Sequence, residues 1–187
     1  MTDIISQVET AIITEIKAAA GMAYLKTVDS YGGQFDEDLG EVIRSYPAVW
    51  VSYAGGAKPK PLGSEKYLVP ATFVTFVAAR NLRNEQSTRH GSPGEVGTYQ
   101  LLSDVRTLLM RQDFGLAIEH LKPGAVRTLY NTRIRNAGLS VFSLEWSTAF
   151  VEKVPSKDEV DLLKIGLNYT LKPGDDIPDA SDLLTLS

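Results

Sequence analysis

Cysteine is absent from the 187 residues. That removes disulfides, thiolate metal ligands and thiol nucleophiles at once, and it fits a reducing compartment. Histidine is scarce, with only His90 and His120. Zinc takes three or four His, Cys or carboxylate ligands, and neither histidine belongs to a spacing of that kind. No apolar run reaches the roughly 18–20 residues of a membrane span. The first residues, MTDIISQVETAIITEIK, carry acids where a signal peptide carries bases. The expectation is a soluble chain, not exported by its own signal, with no membrane partner. Phosphate loops are also missing. Gly32–Gly33 lacks the G-x-G-x-x-G spacing, Gly55–Gly56 is not followed by G-K-S/T, and no G-x-S-x-G elbow occurs. With no recognisable catalytic set, the chain reads as a non-enzyme without a cofactor.

What is present suits a structural protein. The apolar fraction of 43% is ordinary for a globular chain, so a core can form without staples, in one domain with an appended arm. The net charge of −4 argues against a general nucleic-acid coat. Its distribution is uneven. Residues 1–45 carry eight acids and three bases, residues 122–135 four bases and no acid, and residues 152–187 eight acids and four bases. Such segregation suits charge-complementary contact between neighbouring copies, although isolated clusters on solvated faces are the commoner case.

Periodicity sets the elements. Ile5, Val8, Ile12 and Ile16 make one stripe of a helix over residues 3–20, capped by Asp3 and stopped by Gly21. A short strand is expected over 23–28, a turn at SYGGQ, and a short helix over 36–44. The acids Asp36, Glu37 and Asp38 then sit at that helix's N-terminus, where the dipole favours them. Neighbouring helical residues diverge, so the three cannot converge on one metal ion. AVWVSY (48–53) and YLVPATFVTFVAA (67–79) are the clearest strands. The Gly- and Pro-rich linker between them reads as irregular, giving a long-looped antiparallel hairpin. Pro70 is expected at an edge, bulge or strand start.

Residues 81–94 read as a polar loop. A second helix follows over 95–112, burying Leu101, Leu102, Val105, Leu108 and Leu109. A helical turn at 116–120 precedes strands over 125–133 and 139–151, with a turn at Asn136–Gly138. In the last strand Phe142, Leu144, Trp146 and Phe150 alternate with smaller residues, so one face is expected to be buried. KIGLNYTL (164–171) is one more strand, and the remainder reads as an acidic tail bearing a short apolar anchor. The fold class is α+β, a mainly antiparallel sheet with flanking helices. The expected division is a domain over 1–151 and an extension over 152–187.

Basic residues supply the candidate surfaces. Lys122, Arg127, Arg133 and Arg135 form a candidate interface between copies. Lys58 and Lys60, alternating with prolines, and Arg83 and Arg89 mark loops that face a lumen or a partner. Several bases on one face could touch passing DNA without reading its sequence, since aromatic partners for base stacking are sparse.

The first helix, the YGGQFDEDL segment, the PAVWVSY strand and the F-S-L-E-W strand together resemble the Mu-like phage and prophage proteins of the head–tail joining region, which act as tail terminators. The resemblance spans residues 1–151. It implies a small α/β protein that assembles as a ring, commonly a hexamer, on the end of the tail tube. The ring stops tube growth and offers the surface that joins the head. The implied partners are further copies of itself, the tail tube protein and a head-completion or connector protein. The implied location is the virion, at the head–tail junction, after assembly in the host cytoplasm. A head-completion adaptor is the main alternative. A phage-encoded hydrolase or nuclease would need a metal or an acid/base pair that the sequence does not display.

Overall fold

The computed structural model describes residues 3–33, 46–80, 89–91, 96–129, 138–154, 164–169 and 180–185. The chain divides into two compact units, Met1–Lys153 and Val154–Ser187.

Helix α1 spans Ile4–Ala18. Asp3 starts it as expected: the Ser6 amide donates to Asp3 Oδ1 at 3.0 Å and the Ser6 hydroxyl to Oδ2 at 2.7 Å. These bonds hold the Asp3 carboxyl below its ordinary range. Val8, Ile12 and Ile16 are buried, one per turn on a single stripe. The helix ends earlier than Gly21 suggested. Ala19 turns extended, and Gly21 falls inside a 3₁₀ turn over Ala20–Met22. The chain stays turned beyond it, with the Ala23 amide donating to the Ala20 carbonyl at 3.4 Å and the Leu25 amide to the Met22 carbonyl at 3.0 Å, so β1 is Thr27–Ser30 rather than 23–28. The expected helix over 36–44 lies outside the described residues.

The sheet of the first unit has six strands, in the order β1–β2–β4–β6–β5 with β3 on β4. β2 is Ala48–Gly55, β3 Lys60–Pro61, β4 Lys66–Arg80, β5 Lys122–Leu129 and β6 Leu139–Lys153. β1 and β2 run parallel, and every other neighbour is antiparallel. The fold is therefore α+β with a mostly antiparallel sheet. The hairpin of β2 and β4 forms as expected, but its linker is not wholly irregular, because Lys60 and Pro61 pair with Leu68 and Tyr67.

Pro70 sits in a central strand, opposite Ala149 of β6. On its other side β2 pairs only as far as Thr72, after a bulge between Tyr53 and Gly55, and β3 begins at Leu68. Pro70 thus lies in a gap between two ladders. A Cβ on Gly56 would come within 1.9 Å of the Pro70 carbonyl oxygen, so that carbonyl faces the gap. The nitrogen of a strand residue points the same way as its carbonyl, and the missing N–H leaves no ladder bond unmade.

Helix α2, Thr98–Leu109, lies on the same side of the sheet as α1 and buries Leu101, Val105 and Leu109. Leu102 and Leu108 pack at the margin of that core. Between helices and sheet lie Val49, Val51, Phe73, Val77, Leu144 and Trp146, all nearly inaccessible. Trp146 is fully buried, and its indole N–H donates to Thr75 Oγ1 at 3.1 Å. Thr75, also fully buried, donates in turn to the Leu144 carbonyl at 3.4 Å.

Residues 116–120 are not a helical turn. Ile118 forms an antiparallel bridge with Phe150, and the Glu119 amide donates to the Ala149 carbonyl at 2.7 Å. This extended run brings β5 in at Lys122, earlier than 125. The expected continuation to 133 lies outside the described residues.

Sequence alternation made one face of β6 apolar. In the structure both faces are buried at one end. Tyr46, Ala48, Trp50, Ala78, Leu139 and Val141 form a second cluster on the side away from the helices. Tyr46 packs edge-on against Trp50 at 5.8 Å, and Tyr31 against Phe76 at 4.6 Å.

The second unit holds β7, Lys164–Tyr169, paired antiparallel with β8, Ala180–Thr185. β7 was expected. β8 replaces the end of the presumed acidic tail, because Leu183 and Leu184 belong to a strand and face β7 residues across a ladder.

Two outcomes follow from the buried polar groups. Thr75→Val keeps shape but orphans the Trp146 N–H, so it should lower unfolding free energy by about 1–3 kcal/mol, read by urea denaturation; an unchanged midpoint would show that the bond contributes nothing. The second concerns pH. The Tyr24 hydroxyl donates to Asp104 at 2.6 Å, and burial, then that carboxylate, push its pKa upward. Burial pushes Tyr46 to about 12, against an opposing effect of Arg80. Unfolded tyrosines ionise near pH 10. The folded chain holds these two protonated above that point, so their stabilisation is complete below about pH 10 and is lost as pH rises through the folded values. The melting temperature should fall above pH 10, and more gently in Tyr24→Phe.

Candidate assembly surface

β5 is an edge strand, with β6 on one side and no strand on the other among the described residues. All eight of its residues are exposed or half-exposed. Pairing with β6 is interrupted between Pro123 and Val126. Gly124 allows the close approach there, since a Cβ would meet the Glu145 side chain at 3.2 Å. Val126 is an exposed apolar side chain at 39% accessibility.

The structure places Lys122 and Arg127 on this strand, on the face away from the helices, opposite Ser147 and Ser143. Each has an acidic neighbour. Lys122 Nζ lies 2.7 Å from Glu119 Oε2, and Arg127 Nε lies 3.4 Å from Glu145 Oε1. The side chains remain largely open to water, so each pair contributes at most about 1 kcal/mol. The sequence signal was the lack of acids within 122–135. It missed that Glu119 and Glu145 return beside the bases in space, so the described part of this surface is a mixed-charge edge. Arg133 and Arg135 lie outside the described residues.

Lys58 and Lys60 stand on a different feature. β4 and β6 pair along all fifteen residues of each strand. β2 leaves β4 at Thr72, and β5 leaves β6 at Ser147. Beyond those points, among the described residues, the two strands run on with only β3 and the Ile118 bridge beside them. The turn of the β3–β4 hairpin is closed by the Leu62 amide donating to the Lys66 carbonyl at 2.8 Å, with Gly63 at φ 104°. Residues 56–67 are exposed without interruption. Lys58 and Lys60 are therefore brought together on a projecting ribbon, apart from Arg89, which lies beside the start of α2. A Cβ on Gly97 would meet the Arg89 carbonyl oxygen at 2.4 Å. Arg83 lies outside the described residues.

The ribbon also carries what sequence reading passed over. Leu62, Tyr67 and Val151, on the paired strands or their turn, are exposed large apolar residues. The signal was present as Leu62 and Tyr67 inside a segment otherwise rich in Gly, Pro and Lys.

A groove of about 740 Å³ opens between α1 and the connection that follows α2. Ala11, Thr14 and Glu15 form one wall, and Gln112, Phe114 and Leu116 the other. Phe114 holds φ at 56°, a left-handed setting uncommon for an aromatic residue. Nothing in this groove resembles a catalytic set. His120 lies elsewhere, 3.4 Å from Asp113, and His90 packs edge-on against Tyr99 at 5.2 Å. Among the described residues no three His, Asp or Glu side chains are grouped to hold a metal ion, and no helix is long and apolar enough to cross a membrane.

The chain is similar to the Mu-like prophage FluMu protein gp37 of Haemophilus influenzae (strain ATCC 51907 / DSM 11121 / KW20 / Rd). The two are 24% identical over 164 residues, which cover 87% of this chain and 77% of that protein. Residues 4–151, from the first residue of α1 to the outer part of β6, match the family described as Bacteriophage Mu, Gp37. The chain belongs to the bacteriophage Mu Gp37 family.

Proposed function

We propose that this protein is a structural tail terminator. Copies of it form a ring, a hexamer by resemblance, on the end of the tail tube, stop the tube from growing and present the surface that joins the head. Membership of a Mu phage family makes a role in phage structure or morphogenesis plausible. The observation that carries the finer reading is β5, an exposed edge strand with an apolar residue and main-chain groups turned outward. Lys122, Pro123, Arg127 and the break after Pro123 guard this edge against uncontrolled strand addition, so a partner meets it through its exposed side chains. A ring built by rotating one protomer brings unlike patches together, and β5 is one such patch. Lys122 and Arg127, with Arg133 and Arg135 further along the chain, meet acidic residues of the next copy. Lys58, Lys60, Arg83 and Arg89 face the tube, the connector or passing DNA.

The test is reconstitution. Purified protein incubated with tail tubes should cap one end, halt elongation by added tube subunits, and appear by electron microscopy as a ring. Tubes that keep growing in its presence would refute the reading. Binding to the portal of filled heads before any tail would favour the head-completion adaptor instead. Within the ring, Arg127→Glu with Arg133→Glu should weaken capping at least tenfold while the melting temperature changes little, because the pair lost with Glu145 is exposed. Normal capping at every salt concentration would remove β5 from the interface.

A further inference from the structure

The ribbon and the groove are complementary in shape class, polarity and charge. The ribbon tip is a narrow hairpin with Leu62 at its turn, 50% exposed, and Tyr67 beside it, 41% exposed. Between residues 56 and 68 it carries Lys58, Lys60 and Lys66 against one acid, Glu65. The groove is an open cleft whose apolar floor includes Ala11, Phe114 and Leu116, and Glu15 is the one charged residue that lines it. Its α1 wall belongs to a helix whose charged residues are Glu9, Glu15 and Lys17, with Asp3 as its cap. Large apolar side chains left in water favour burial against a partner. Projection and cleft on one chain, when unlike, join copies head to tail, which gives a ring where the rotation between copies closes.

We infer that the Leu62–Tyr67 tip of one copy seats in the groove between α1 and residues 112–116 of the next copy. This rests on the reading that the copies form a ring, and it specifies which surfaces meet. Leu62 enters against Ala11, Phe114 and Leu116. Lys66, at the start of β4 beside the tip, lies along the α1 wall near Glu15. The occupant is a second copy rather than a small molecule, because the cleft is open and its lining offers one charge, Glu15, and uncharged polar side chains at Gln7, Thr10, Thr14 and Gln112 beside apolar ones. The left-handed setting of Phe114 holds its ring in the lining of the cleft.

The absence of cysteine makes a cross-linking test free of background. Leu62→Cys and Thr14→Cys are each exposed substitutions expected to leave the melting temperature within a few degrees of the parent protein. Each single variant, and their equimolar mixture, is oxidised in solution and on tail tubes. Disulfides need Cβ atoms about 3.5–4.5 Å apart. The mixture should give a covalent dimer that neither variant gives alone, and the double variant a ladder that ends at the ring number. Leu62→Glu should reduce capping at least tenfold, while Leu62→Met retains it. A ring that forms on tubes with no cross-link, and that tolerates Leu62→Glu, overturns this contact and leaves the terminator reading standing. If the parent protein neither assembles nor caps, both fall together.

Discussion

The long pairing of β4 with β6 is the constraint on which the rest of the molecule depends. The two strands match residue for residue along their whole length, β2, β3 and β5 pair directly with one or the other, and β1 joins through β2. Their shared face supplies Phe73, Val77, Leu144 and Trp146 to the main core, against which both helices pack. At its centre the Trp146 indole reaches Thr75 across the pair. A buried tryptophan brings a large apolar area together with one donor that needs a partner. Placing a threonine directly beside it meets that need without opening the core to water. The same pairing, continued past its neighbours, becomes the ribbon.

The two ends of the sheet are consequently unlike. At the end near Arg80 and Leu139, side chains bury both faces. At the end near Lys66 and Lys153, helices and neighbouring strands have fallen away and apolar side chains stand in solvent. A closed globule would trim strands to the length its helices cover. Here the excess length is retained, with Lys60, Lys66 and Lys153 along it.

Much of this was legible in the sequence, for physical reasons that differ by element. α1 announced itself through a capping aspartate and a stripe that one core face reads directly. β2, β4 and β6 were visible because β-branched and aromatic residues leave few other options. What failed were features set by neighbours distant in sequence. The second cluster was missed because Leu139 and Val141 alternate with residues that are buried too, and alternation cannot reveal a face covered from elsewhere. Residues 116–120 resembled a helical turn locally but are extended because Phe150 and Ala149 offer ladder partners. β3 has only two residues and pairs only because the turn at Gly63 returns the chain. The candidate surface was half legible. Bases on 122–135 were countable, while the acids beside them, Glu119 and Glu145, arrive from outside the segment. Lys58 and Lys60 were found by composition, but the apolar residues between and beyond them gained meaning only from the projection.

The register of β4 on β6 also fixes when the protein can exist at all. Its nearest partners in sequence are Arg80 and Leu139, and its most distant are Lys66 and Lys153. Until Leu139 has left the ribosome, one side of β4 has no partner, and β2, α1 and α2 can enclose only part of the core. Folds dominated by such distant pairs form slowly, because long loops close before any contact rewards them. During that interval the apolar face of β4 is open to other chains. A cell filling with copies of one such chain therefore faces a contest between intramolecular closure and aggregation, and synthesis rate decides which side wins.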